Sequence, residues 1–500
     1  MLNYIGTELN GLVNKYKQAV SDKLESPNFR STAEGTAHTR YLADCQRGSI
    51  EAKEYVLHSI SNIVDEILTS ADEKVLNELV ERELITYNQK QYETINLKEI
   101  GEYQESSLTY YQLLELCSSE YSREYLKQMQ VNLNTRFLAV QVLSEEIYAV
   151  TRGIGLLESL MKLRINNIEV HETKIRIETA TGNWFTIVDY RFDSDKFVRK
   201  IAERLLNQDA GGDLTEDECE RQSILLDGSR ITVALKPAST MNTIFIKRFD
   251  NYDVSLEQMI KEGSIPLEMK KDLETIGRGR ANVVFSGGVN SGKSTMLKAY
   301  VEVIPNKYKI GFIDPTKDTD LKKLYPDKDI ITLYETGTYS MNDQFSLMLT
   351  MNRDVIGISE SKSYEILQSI KSMTRANPGS FLTMHNFNPA DLIDNIAWMC
   401  LENGIPQDIK VLRGRIASAL DINIRLRQLS SGKRVVDSIV EIVATGDIDK
   451  PFEIRVIWKW DIQKGQCIRC NDYKMSEGLE EKFLYWGCSL EEVRRFNNEG

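Results

Sequence analysis

The stretch VVFSGGVNSGKSTMLKAY, residues 283–300, sets three glycines, two lysines and four serine or threonine residues between apolar runs. Gly287, Gly292, Lys293 and Ser294 satisfy the spacing G-x-x-x-x-G-K-[ST] of a phosphate-binding loop. Glycines let backbone N–H groups turn inward on phosphate oxygens, and the helix that follows adds its positive N-terminal end. Lys293 is then expected to reach the β and γ phosphates of a nucleotide, with Ser294 offering a hydroxyl to Mg²⁺, a hard cation that prefers oxygen. Gly288, Asn290, Ser291 and Thr295 complete the residues expected to line the phosphates.

Hydrolysis needs a carboxylate to orient water and a group that reads the γ-phosphate. Two later apolar runs end on suitable residues. The run 355–358 leads into Ser359 and Glu360, and the run 381–384 ends on His385, one of four histidines in the chain. Taken alone, Glu360 reads as a solvated loop acid and His385 as a structural or solvent-facing histidine.

These residues require a scaffold. Short apolar runs at 283–285, 310–313, 330–333, 355–358 and 381–384 alternate with helical segments. That pattern predicts buried strands of a mainly parallel sheet with helices on both faces, which binds ligands at the carboxyl ends of its strands. Before it, Ile175, Ile177 and Thr179 alternate with polar residues, Thr181-Gly182-Asn183 offers a turn, and 184–187 returns, predicting a hairpin. A helical stretch over 197–206 with Asp193 or Ser194 as its cap, and strands over 230–236 and 243–249, complete a small α/β domain over 161–250. Residues 250–253 read as a linker. Residues 1–160 show helical stripes, such as Leu2, Leu9, Leu12, Val13, Tyr16 and Val20, and Val56, Ile60, Ile63, Val64 and Ile67. The expected fold class is α/β, with a nucleotide-binding domain over 254–445, the small α/β domain and helical region before it, and an extension over 446–500.

Composition bounds the rest. A chain of 500 residues, 41% hydrophobic, can hold several cores. The net charge of −12 disfavours unaided binding to nucleic acid, so no direct nucleic-acid partner is expected. Seven scattered cysteines read as reduced thiols, and Cys467 and Cys470 form a C-x-x-C without a second pair at zinc-site spacing. No apolar run approaches the about 18 residues of a membrane span, and the opening MLNYIGTELNGLVNKYKQ lacks a basic start and apolar block. The expected location is cytoplasmic.

The order of phosphate loop, strand-borne Glu360, and GSFLTMH followed by Asn388-Pro389 resembles the secretion-superfamily ATPases, hexameric motors of type II and type IV secretion and of tight-adherence pili. LLDGSRITVALKP and IFIKRFD look like the N-terminal domain of the tight-adherence branch, and IASALDINIRLRQLSSGKRVVDSIVEI like its C-terminal region, so the resemblance spans about 156–443. It implies a RecA-like ATPase fold with ATP and Mg²⁺. It also implies a homo-hexamer docked through protein contact, peripherally, on an inner-membrane platform protein. Glu360 falls where the family's Walker B glutamate lies, His385 on its His box, Asp314 on its Asp box, and Arg230 keeps the position of an arginine that could stabilise charge. The chain also departs from the family. Ile313 replaces one acid of the Asp box, and Gly337, Thr350, Asn352 and Lys362 stand where arginines are common. Arginines can contribute several orders of magnitude to phosphoryl transfer. Two alternatives to a motor therefore stand: a scaffold that binds ATP and hardly turns over, and a DNA-translocating ATPase, against which the acidic balance weighs.

Overall fold

The computed structural model describes residues 6–46, 49–90, 107–117, 127–179, 182–206, 214–215, 219–225, 227–248, 254–315, 319–336, 338–360, 366, 369–370, 373, 378–386, 388–402 and 408–498. Leu2, Thr181, Gly337, Lys362 and the linker at 250–253 lie outside them. The chain divides into two units, Met1–Tyr252 and Asp253–Gly500.

In the first unit the helical stripes become a core. Leu9, Leu12, Val13, Tyr16 and Val20 of helix Gly6–Glu25 pack with Val56, Ile60, Ile63 and Val64 of helix Ile50–Ile67 and with Leu143 and Ile147 of helix Arg136–Thr151. Thr135 caps that last helix, its side chain accepting from Leu138 N–H. A second core lies under a seven-stranded sheet ordered β1-β4-β3-β2-β7-β6-β5. Its strands are β1 Ser107–Leu108, β2 Ile165–His171, β3 Lys174–Thr179, β4 Trp184–Ile187, β5 Glu220–Ile224, β6 Arg230–Ala234 and β7 Thr243–Lys247. The expected hairpin is β3–β4, antiparallel with Ile175 opposite Ile187. Helix Asp195–Leu206 buries Val198, Ile201 and Leu205 against this sheet, and Phe197 N–H donates to Ser194 Oγ at 3.2 Å.

The small domain reaches further back than residue 161. β1 pairs in parallel with β4, and Tyr110, Leu113, Leu114 and Cys117 are buried in the same core as Ile177 and Phe185. Tyr110 stacks on Tyr190 at 4.2 Å. Helical periodicity marks 110–117 as amphipathic but does not say which core takes its apolar face.

The second unit is built on a nine-stranded sheet ordered β10-β9-β11-β12-β8-β13-β14-β15-β16. β8 Val283–Gly287, β9 Ile310–Asp314, β10 Ile330–Tyr334, β11 Val355–Ile358, β12 Phe381–His385 and β13 Ile422–Gln428 run parallel. β14 Arg434–Ala444, β15 Phe452–Asp461 and β16 Gln466–Arg469 continue it antiparallel. β8, β9 and β11 are buried along their whole length, as continuous apolar runs require.

Residues 446–500 are not a separate extension. β15 and β16 extend the sheet, and helices Glu477–Tyr485 and Leu490–Phe496 drive Phe483 and Phe496 into the core that holds Phe285 and Tyr300. Trp458 Nε1 donates to Asp272 Oδ2 at 2.8 Å, and Tyr473 OH to the buried Glu441 at 2.9 Å. Cys467 and Cys470 are buried free thiols of this core, and burial pushes Cys467 up to about 12, so both are held in the protonated form.

Candidate active site

Gly287 ends β8 with φ +153°, Asn290 takes φ +58° and Gly292 φ +94°. These left-handed positions let the chain reverse between strand and helix while successive amides stay unblocked by side chains. A Cβ on Gly287 would lie 2.4 Å from the Leu426 carbonyl oxygen of β13, so only glycine passes there. Helix Lys293–Tyr300 starts at Gly292, whose carbonyl accepts from Met296 N–H at 2.9 Å.

Lys293 is buried, and its ammonium donates to the carbonyls of Gly287 at 3.2 Å and Gly288 at 2.6 Å. Ser291 Oγ donates to Gly288 O at 2.9 Å. Ser294 and Thr295, on the first turn of the helix, are exposed. A cationic loop with a buried ammonium and an exposed hydroxyl fits a nucleotide's phosphates together with a hard, oxygen-seeking cation.

The neighbouring strand places His385 directly opposite Gly287 in the β12–β8 register. His385 Nδ1 lies 3.4 Å from Lys293 Nζ, and its Nε2 lies 3.4 Å from Glu360 Oε1. The neutral ring with its proton on Nε2 satisfies both contacts, accepting from the lysine and donating to the carboxylate. Lys293, His385 and Glu360, separated by up to 92 residues of sequence, thus form one chain of polar contacts at the carboxyl ends of β8, β12 and β11.

Asp314 is in the second rank. It is fully buried, accepting from Thr319 N–H at 2.8 Å and from Ser359 Oγ at 2.6 Å. Ser359 N–H donates to Ile313 O at 3.0 Å and its carbonyl accepts from Thr383 Oγ1. Asp314 therefore holds Ser359, the residue before Glu360. Arg230 opens β6 in the unit Met1–Tyr252, opposite Lys247 of β7, whereas the other site residues belong to Asp253–Gly500.

Two of the departures suit their local backbone. Asn352 takes φ +51°, a left-handed position that asparagine tolerates and arginine does not favour. Thr350 closes helix Met341–Thr350 with its hydroxyl donating to Leu347 O at 2.7 Å. The nearby Arg353 is committed to Asp329 at 2.9 Å.

Sequence reading missed the supports. Asn423 of β13 donates to Val284 O and Ser286 Oγ, both at 2.9 Å, under the loop, and Arg434 of β14 donates to Asn290 O at 2.8 Å. No local spacing points to partners so distant in the chain.

The profile of the family described as Type II/IV secretion system protein matches residues 158–471, well over half of the chain. The chain belongs to the type II/IV secretion system protein family. This member's RecA-like unit, a parallel sheet with the phosphate loop between β8 and its helix, agrees with that assignment. The family member is 21% identical over 227 residues to an uncharacterised protein of Bacillus anthracis, spanning 44% of the chain and about half, 51%, of that relative. It is 21% identical over 233 residues to the probable conjugal transfer protein TrbB of Sinorhizobium fredii, spanning 46% of the chain and 70% of the relative. Among solved structures it is similar to the pilus retraction motor PilT with bound ADP, with 16% identity, a TM-score of 0.42, and coverage of 69% of this chain and 96% of that one. The Legionella pneumophila ATPase DotB gives 14%, 0.40, 59% and 83%, and the Brucella suis VirB11 ATPase 16%, 0.32, 57% and 92%. Among the described residues of this member no helix is long and apolar enough to cross a membrane.

Proposed function

We propose that the chain binds ATP with Mg²⁺, hydrolyses it, and couples turnover to domain movement in a type II or type IV secretion, conjugation or tight-adherence pilus apparatus. The observation that supports this reading is the meeting of Lys293, His385 and Glu360 at the ends of three neighbouring parallel strands. Lys293 exchanges the loop carbonyls of Gly287 and Gly288 for phosphate oxygens. Glu360 orients the attacking water in line with the γ-phosphorus, and His385 ties the position of Glu360 to that of Lys293. Ser294 would hold Mg²⁺, which would supply charge neutralisation of the phosphates. Arg230 is assigned the further charge that the transferring phosphoryl group needs.

Glu360→Gln is expected to keep ATP affinity within a few-fold and lose most of the turnover, and Lys293→Ala to lose both. Undiminished turnover in Glu360→Gln refutes the water-orienting role. Arg230→Ala is expected to lower kcat with little change in ATP affinity.

The second reading, a scaffold that binds ATP and hardly turns over, is favoured by Thr350 and Asn352, which stand where arginines are common in the family. Steady-state ATPase measured beside ATP affinity separates the two: tight binding with turnover no faster than that of Glu360→Gln would establish the scaffold.

A further inference from the structure

Arg434 reaches the phosphate loop from 144 residues further along the chain, its Nε–H donating to the carbonyl oxygen of Asn290 at 2.8 Å. Its aliphatic stem lies beside the helix start, since a Cβ on Gly292 would sit 3.5 Å from both Cβ and Cδ of Arg434. In a trans peptide the carbonyl and the N–H of one unit point in opposite directions. With the Asn290 carbonyl held toward Arg434, the Ser291 N–H of the same unit is turned to the opposite side. Asn290, in the left-handed region at φ +58°, and Ser291 flank that unit, and rotation about ψ of Asn290 and φ of Ser291 is what flips it when no tether holds the carbonyl.

The support under Arg434 is itself fixed. The β13–β14 turn closes through Leu429 N–H to Lys433 O at 2.8 Å and Gln428 Nε2 to Gly432 O at 3.2 Å. At the other end of the loop, β13 pairs Leu426 with Gly287. The hairpin therefore grips the loop at its first glycine and at its apex.

We propose that Arg434 is a positioning residue for ATP binding, acting through the Asn290 carbonyl to present the Ser291 N–H to the phosphates. The inference rests on the ATP-binding reading above. It uses the hydrogen bond of Arg434, not its charge, and that distinction makes it testable. Glutamine carries a donor nitrogen the same number of bonds from Cα as arginine Nε, so Arg434→Gln keeps the donor and removes the charge. Arg434→Met keeps the stem and removes both.

The test titrates ATP with Mg²⁺ into the full-length chain, the two Arg434 variants and Lys293→Ala by calorimetry, and records melting without nucleotide. Arg434→Met is expected to bind ATP about five- to tenfold more weakly with an unchanged nucleotide-free melting temperature, and Arg434→Gln to stay within about twofold of the unaltered chain. Unchanged affinity in Arg434→Met, with Lys293→Ala defective, overturns this inference alone. Equal loss in the Gln and Met variants overturns it too, because charge or packing would then be the cause. No saturable binding by the unaltered chain overturns the ATP-binding reading itself.

Discussion

Burial sets Asp314 and Glu360 apart. Glu360 is partly exposed and faces His385, so it can meet water, whereas Asp314 has no exposed surface and both its oxygens are engaged by Thr319 and Ser359. Asp314→Ala leaves a buried hydroxyl and a buried amide without their acceptor, which costs about 1–3 kcal/mol per group. Denaturant unfolding of Asp314→Ala is expected to show a lowered midpoint, together with a reduced kcat through displacement of Ser359. A normal midpoint with lost turnover would instead make Asp314 a direct participant.

At the scale of elements, helix Arg136–Thr151 carries a titratable cost inside the helical core. Glu146 on it is buried, and that burial raises its carboxyl to about 7. An unfolded glutamate releases its proton near pH 4.5, whereas the folded one keeps it until about pH 7. Between these values the native state binds the extra proton, so stability falls as pH rises through this window and levels off above it. Glu146→Gln should remove the slope, and its advantage over the parent should grow from pH 5 to pH 8 by on the order of 1–3 kcal/mol. Equal melting shifts at both pH values would show that Glu146 is ionised in the fold. The last two helices are likewise part of the core of the unit Asp253–Gly500. A Cβ on Gly279 would meet Phe483 Cδ1 at 2.2 Å. Gly279→Ala is therefore expected to destabilise that unit by about 1–3 kcal/mol, seen as a lower urea midpoint.

For the whole molecule we propose a closed ring, most simply of six subunits, strengthened by ATP, with light scattering as its check. A strict monomer with full, concentration-independent turnover would remove this proposal. The helical block is proposed to dock on a membrane-embedded partner protein. Deleting residues 1–160 cannot test this cleanly, because β1 and Tyr110 belong to the core of the small sheet. Phe137 and Val131, apolar side chains 65% and 83% exposed, offer a gentler probe. Charged substitutions there should leave ATP affinity unchanged and reduce co-sedimentation with membranes that hold the apparatus. Undiminished co-sedimentation would place docking elsewhere.

The glycine-rich loop was legible in the residues alone, because glycine conformations and a lysine at fixed spacing are local requirements. Five of the parallel strands were legible as apolar runs: β8, β9, β11 and all of β12 but His385 because they are buried, whereas β10, at the sheet edge, is only partly buried. His385 and Glu360 were legible as residues at strand ends, and the roles proposed for them come from the family resemblance. Only the tertiary structure decided that they touch, since the register of β12 on β8 brings His385 beside Gly287 across some hundred residues of chain. It alone decided that 107–117 serves the small sheet and that 446–500 completes the large one, because an amphipathic face does not name its partner. The supports of the loop, Asn423 and Arg434, were invisible for the same reason. A hydrogen bond to a backbone carbonyl leaves no spacing signal when its two ends are brought together only by the sheet.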